Sequence, residues 1–416
     1  MGIQSAMYSG VSGLNTNSQA MNVIGNNLAN TNTIGFKGSR TVFSDLLSSS
    51  VFGSGGTSQV GRGVGLSTVD NIFSQGTFET TTLDTDVAIE GEGFFIVSEL
   101  SNDTMYYTRA GSFRFDEEGY MVNPEGYVVQ GKGFDENGEL LPADPGNIRV
   151  EDVGLIEANA TSELTFTTNL DAASEQLGGA AADIDPDNVD SYNYSATSTI
   201  FDSLGKDHLV TVYWRLVDAT TNTWASGYTL DADAASFTAL PNMVFDPDGN
   251  LPAKVVNNVV IADWGNGSAV NQPLAITFDC TQYDSESVVI GEDQNGYASG
   301  ELTNVGIGDA GIVIATYSNG EAVYIAQLVL AKFQNPGGLN LVGSNQYEYT
   351  EDAGQIRIGL AGPELGRIYS NSLEQSNVDM GQEFVKMIAT QRGFQANSKI
   401  ISTIDEMLGE LINLKR

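Results

Sequence analysis

A mainly β chain closed at both ends by α-helices is the fold class this sequence predicts. The N- and C-terminal helices form a coiled-coil-like inner domain, with nested, discontinuous β-domains outside it. Three observations predict it. Apolar residues recur in steps of seven at each end of the chain. The middle is a succession of short alternating or apolar runs divided by Asp and Gly turns. Charge divides the chain in the same way: residues 1 to 40 carry net +2, residues 371 to 416 net −1, and residues 41 to 370 carry −36 of a total of −35.

At the amino terminus, Met7, Leu14, Met21 and Leu28 fall seven apart, with Ile3 and Ile24 on the adjoining position of the same stripe. Gly10, Gly13 and Gly25 lie in the same stretch, and each costs a helix about 1 kcal/mol relative to Ala. The helix is therefore expected to form only when packed on neighbours. Residues 36–70 read as a connector, because 48–65 is rich in Gly and Ser.

A first β-domain is expected over 71–160 and 293–370, carried by runs such as GFFIV, YTRAGSFRF, YVVQG and YIAQLVLAKF. Three turns share one chemistry, FDEEGY, FDENGE and FDPDGN. In each, an Asp that bonds its own backbone precedes a Gly that supplies positive φ. Residues 161–292 hold 19 acids against Lys206, Arg215 and Lys254, which marks them as an inserted outer β-domain. Within it, 172–190 has few residues able to build a core and reads as an acidic linker.

The carboxy-terminal helix is expected from about Leu373 to Leu414, on the order of 60 Å long. Leu373, Met380, Met387, Phe394, Ile401 and Leu408 make an unbroken step of seven, widened by Phe384, Ile388, Ile404, Leu411 and Ile412. Residues 1–35 and 371–416 together make the inner helical domain, and the two seams are complementary surfaces for assembly.

Composition limits function. With 53 acidic residues against 18 basic ones, the chain repels nucleic acid and anionic membranes. No apolar run is long enough to span a bilayer. The start has neither a basic n-region nor an apolar stretch, so export is expected by a route other than a cleaved signal peptide. Catalysis finds no support: His208 is the only histidine, no G-x-S-x-G elbow partners it, and Cys280 is the only cysteine. His208 reads as a structural or surface histidine and Cys280 as a core residue. Asp183, Asp185, Asp187 and Asp190 begin like a calcium loop, but the sixth and twelfth positions are Asn188 and Tyr194. No cofactor, metal or catalytic residue is assigned.

Four stretches carry a resemblance: SGLNTNSQAMNVIGNNLANTNTIGFK near the start, DVAIEGEGFFIV and YTRAGSFRFDEEGYMVNPEGYVVQG in the first β-domain, and SNVDMGQEFVKMIATQRGFQANSKIISTIDEMLGELINL at the end. In order and in content they resemble the bacterial flagellar axial proteins, the rod and hook family. The insert, with FDSLGKDHLVTVYW and IAQLVLAKFQNPGGL, favours the hook branch over the shorter distal rod protein. The resemblance implies a self-assembling tube of structural subunits that passes motor torque to the filament. It also implies, as partners, other copies of the chain, the distal rod, the hook–filament junction proteins, the hook cap and the flagellar type III export apparatus. Phe43 and Leu47, in FSDLL, look like the short element read at the export gate, and an ordinary buried turn of helix is the alternative. The competing readings are the distal rod protein and a secreted β-rich binding module.

Overall fold

The computed structural model describes the chain apart from residues 1, 47–48, 54–55, 103, 136–137, 151–153 and 415–416. The fold is mostly β, with one helix at each end, α1 (Gly2–Ala29) and α2 (Met380–Leu414), and the two helices pack on each other. The chain divides into two compact units. The first comprises Met1–Val153, Val305–Ala315 and Val323–Arg416; the second comprises Gly154–Asn304 and Thr316–Ala322.

In the first unit, strand Phe94–Ser98 pairs antiparallel with Met105–Thr108 and Val128–Gly133, and Leu330 and Ala331 pair with Phe95 and Phe94. Side chains alternate across this sheet. Phe95, Val97, Leu328 and Leu330 enter one buried cluster, while Phe94, Ile96, Val329 and Ala331 enter another. A strand buried on both faces reads as an uninterrupted apolar run, which is why GFFIV and LVLA lack polar alternation. Four aromatic rings close the second cluster: Phe94 meets Phe73, Phe333 and Tyr347 at centroid distances of 5.6, 5.5 and 5.9 Å.

Within the expected connector, residues 36–70, the backbone forms paired strands. Strand Ser39–Asp45 pairs with Val64–Asn71, and Ser49–Gly53 with Gly56–Val60, giving two antiparallel ladders. Val42, Phe43, Val64, Leu66 and Val69 supply enough β-formers to override the glycines between them. Phe43 lies in the first of these strands and is exposed; Leu47 lies outside the described residues.

The second unit is a sandwich of two four-stranded sheets around one core. Strands Tyr194–Phe201, Asp207–Asp218, Thr223–Leu230 and Asp233–Val244 form an antiparallel meander. Facing them is a sheet in the order Val255–Ile261, Gln272–Tyr283, Glu163–Asp171, Val288–Gln294, in which Glu163–Asp171 runs parallel to Gln272–Tyr283. Phe166 and Phe278 meet Trp214 edge-on at 6.0 and 5.7 Å.

The acidic stretch 172–190 is not a free linker. Single turns of 3₁₀ helix form at Ala181–Asp183 and Val189–Ser191. The Arg215 guanidinium donates to the carbonyls of Leu177, Gly178, Asp183 and Ser191, at 3.2, 2.7, 3.3 and 2.5 Å. One of the three bases in the acidic block therefore orders the segment with hydrogen bonds rather than apolar contacts. Asp183 and Asp185 accept from the backbone N–H groups of Ala180 and Asp187.

Cys280 lies in the sandwich core, 2% exposed. Burial pushes its thiol up to about 12 from 9.0. Only the thiolate attacks, and a rise of three units lowers its fraction roughly a thousandfold. A disulfide reagent at pH 8 is therefore expected to leave the native thiol unmodified for hours and to titrate one thiol per chain at once in denaturant. Rapid labelling of the native chain would mean that the sandwich opens. Because the folded value is raised, the thiol's contribution to stability is present below pH 9 and is lost as the pH climbs toward 12.

Candidate assembly surface

Small and polar residues make the face that α1 turns to α2. Gly10, Gly13, Thr16, Ala20, Ile24 and Asn27 are its buried positions. A methyl group added at Gly13 would lie 2.6 Å from the Asn397 amide nitrogen, and one at Gly10 would lie 3.1 Å from Ile401 Cγ1. The relation is reciprocal, since a methyl on Gly393 of α2 would lie 2.9 Å from Asn17 Oδ1. The glycines that weaken α1 as an isolated helix are thus the places where α2 comes against its backbone, and packing offsets their cost in propensity.

The step-of-seven residues divide between two environments. Ile24 is buried, and Leu14, Met21, Leu28, Met387, Ile401 and Leu408 are half-buried. Met7, Met380, Phe384 and Phe394 are exposed, as are Tyr8, Val11, Val385, Ile388, Ile400 and Met407. The side chain of Ile3 lies outside what is described, although its backbone is helical. Leu373 is not helical at all. It is buried in strand Ser372–Glu374, which pairs with Phe78–Thr80, and α2 starts only at Met380. The delay has a local cause: Asp379 Oδ1 accepts from the backbone N–H groups of Gly381 and Gln382, capping the helix there.

At the base of the helices is a polar clasp that sequence reasoning missed. Glu374 is fully buried and receives Lys37 Nζ at 2.6 Å, Arg109 Nη1 at 3.4 Å and the Gly76 N–H at 2.8 Å. Lys37 also donates to Ser74 O and Arg109 to Gly91 O, and the Arg109 guanidinium sits 4.9 Å from the centre of the Phe94 ring. Burial lowers the Lys37 ammonium and the Arg109 guanidinium from their usual values, with Glu374 acting against it in both cases. One turn away, Asn27 exchanges hydrogen bonds with the backbone of Ser39 and reaches Glu383 of α2. Asn377 Oδ1 accepts from the Gly38 N–H, and its amide donates to Ile72 O. The signal was available: Lys37 is one of two charges in the first 40 residues and stands between Phe36 and Gly38.

These features fall within stretches that known proteins share. Residues 7–37 match the family described as flagella basal body rod protein, and 88–167 match the flagellar hook protein FlgE/F/G D1 domain. Residues 169–297 match the flagellar basal body protein FlaE D2 domain, and 369–414 the flagellar basal body rod FlgEFG protein C-terminal family. Along its whole length the chain is 35% identical to the flagellar hook protein FlgE of Borreliella burgdorferi, with 99% of each covered. It is 33% identical to that of Escherichia coli K12, over 99% of this chain and 100% of the relative. The chain belongs to the flagellar hook protein family. It is a structural subunit of the flagellar hook, and the D2 match, residues 169–297, falls inside its second unit. A Helicobacter pylori hook protein, FlgE2, shares the fold with a TM-score of 0.51 at 15% identity, over 71% of this chain and 100% of that one. Among the described residues no helix is long and apolar enough to cross a membrane.

Proposed function

We propose that the exposed apolar residues of α1 and α2 are the surface by which hook subunits join into a tube. The observation that carries this is the division of labour on α2. Its contact with α1 uses Gly393, Asn397 and Ile401, which leaves Met380, Phe384, Val385, Ile388, Phe394, Ile400 and Met407 exposed in the single chain. So many exposed apolar side chains on one helix call for cover, and a polymer supplies it by heterologous contacts that do not close. In this reading the paired helices form the inner wall, and the β units form outer layers whose polar contacts slide as the hook bends. The tube acts as a bendable joint carrying torque from motor to filament.

Family membership supports the further partners: the distal rod at one end, the junction proteins and cap at the other, and the type III export apparatus as the route out of the cell. Phe43 and Leu47 are the proposed export-gate element, and the exposure of Phe43 in the folded chain suits a residue read before folding.

The test compares the full chain with a fragment spanning residues 30–379, which lacks both helices but keeps Lys37, Arg109 and Glu374. Each subunit carries −35, and salt shortens the reach of that repulsion from about 30 Å at 0.01 M to about 10 Å at 0.1 M. Light scattering of the full chain is expected to rise with salt and electron microscopy to show tubes, while the fragment stays monomeric at every salt concentration. Tubes from the fragment would place the assembly surface on the β units and overturn the proposal.

A further inference from the structure

The second unit contains a histidine between two aspartates, outside the proposed assembly surface, in which His208 and Asp202 are buried and the Asp231 side chain is half exposed. His208 is 2% exposed and lies between two carboxylates, with Nδ1 2.8 Å from Asp231 Oδ2 and Nε2 3.4 Å from Asp202 Oδ2. Its ring stacks on Trp264 at a centroid distance of 3.7 Å and an interplanar angle of 19°. Three separate stretches meet here: the hairpin turn 201–207, the turn at Asp231 and the loop 262–271.

Asp202 belongs to a type of turn that recurs in this chain. In 116–120, 135–139, 202–206 and 246–250 an Asp Oδ1 accepts from the backbone N–H four residues on, and a Gly N–H returns to the Asp carbonyl. Only the Asp202 carboxylate is buried among these. Its second oxygen, Oδ2, takes the Asn266 amide as well as His208. Burial pushes its carboxyl up, but the bonds from Asn266, Lys206 N–H, Leu204 N–H and His208 outweigh burial and hold it below the usual carboxylate range. Asp202 therefore stays ionised and can only accept.

We propose that His208 is a proton-operated latch whose charge ties the hairpin turn 201–207 to the turn at Asp231 and strengthens the stack of its ring on Trp264 in the loop 262–271. Two carboxylates face the two ring nitrogens, and a neutral imidazole has one N–H to give. The arrangement is complete only for the doubly protonated ring. When the proton leaves, the shorter bond from Nδ1 to Asp231 is kept, and the Nε2 lone pair is turned on the Asp202 carboxylate. Asp202 then holds the loop through Asn266 alone, with Ser203 Oγ accepting from the Ala269 N–H beside it. The titratable and charged groups facing the ring are Asp202 from the hairpin turn and Asp231 from the next turn. Trp264 and Asn266 face it from the loop, and the chain neighbours Lys206 and Asp207 are exposed.

The chain has one histidine and three tryptophans, which makes the test clean. In full-length chain at low salt, labelled at histidine, the single imidazole is followed by NMR through its titration, together with the Trp264 indole N–H and the amides of 262–271. These are expected to move with the same midpoint as the ring, while the core residues Trp214 and Trp224 stay still. Trp264 fluorescence should fall as the ring gains its proton, since imidazolium quenches the stacked indole. His208→Gln should abolish the response and leave the Trp214 and Trp224 signals native. Loop resonances indifferent to the ring's ionisation, or an unchanged Trp264 response in His208→Gln, would overturn the latch.

Discussion

Glu374→Ala is expected to cost the first unit about 3–5 kcal/mol, the price of leaving buried charges without their partner. Lys37 and Arg109 are both at most 2% exposed and converge on this one carboxylate from the GFK turn and from the strand Met105–Thr108 side of the sheet. At 2–4 °C per kcal/mol for a unit of this size, its melting temperature should fall by roughly 6–20 °C, while the second unit melts as before. A triple variant, Lys37→Met with Arg109→Met and Glu374→Leu, removes every charge and should recover most of the loss, because well-packed apolar replacements of buried ion networks are often neutral. The pH dependence has a definite sign. Lys37 is already held below 10.5 by burial, and removing Glu374 takes away the main influence opposing that. The unfolded chain then binds this proton more tightly than the folded one, so relative to the parent Glu374→Ala should regain stability as the pH rises toward 10.5. Denaturant melts of the parent, single and triple variants read all three. A single variant within 1 kcal/mol of the parent would mean that the clasp contributes little.

Phe384→Asp is expected to leave the isolated chain intact and to stop polymerisation. Phe384 is 46% exposed in the single subunit, so the substitution costs little until a second copy covers it. Once covered, an unpaired carboxylate costs several kcal/mol, and about 3 kcal/mol per subunit already raises the critical concentration roughly a hundredfold. Lys399→Gln, an exposed position on the same helix that changes the charge by the same amount and lies on the charged row with Arg392 and Glu406, is the control and should shift assembly by little more than added repulsion does. Sedimentation of both variants against the parent, together with hook length in swimming cells, decides the matter. Equal loss from the two substitutions would make charge, rather than the apolar stripe, the cause.

Much of this architecture could be read directly from the residues. Steps of seven gave two helices at the ends, and Asp-Gly turns gave the strand boundaries between them. Periodicity reports the angle at which apolar atoms leave a helix but not which neighbour covers them. Met387 and Phe384 belong to one apolar band in the sequence, yet the first is half-buried in the single chain and the second is exposed. The face between α1 and α2 escaped because its signal is an absence of side chains at Gly10, Gly13 and Gly393, which propensity scores as weakness. Leu373 kept the step of seven while folding as a strand; the cap at Asp379 is a local signal in the residues, whereas the burial of Glu374 is a tertiary fact. Arg215 was visible only as one base in an acidic block, and its four carbonyl partners lie 24 to 38 residues away.

The contacts that join the two ends of the chain have a temporal consequence. Lys37 meets Glu374 across 337 positions, Gly38 meets Asn377 across 339, and Asn27 meets Glu383 across 356. None of them can form until the last tenth of the polypeptide is free to return to the first. The meander of the second unit pairs neighbouring strands and has no such wait, whereas the facing sheet joins Glu163–Asp171 to Gln272–Tyr283. Contacts between distant positions are slow to establish, so the terminal helices are expected to acquire their mutual arrangement last. A subunit threaded end-first through a narrow conduit would complete its assembly-competent part only after its final residues have emerged, which ties polymerisation to arrival rather than to synthesis.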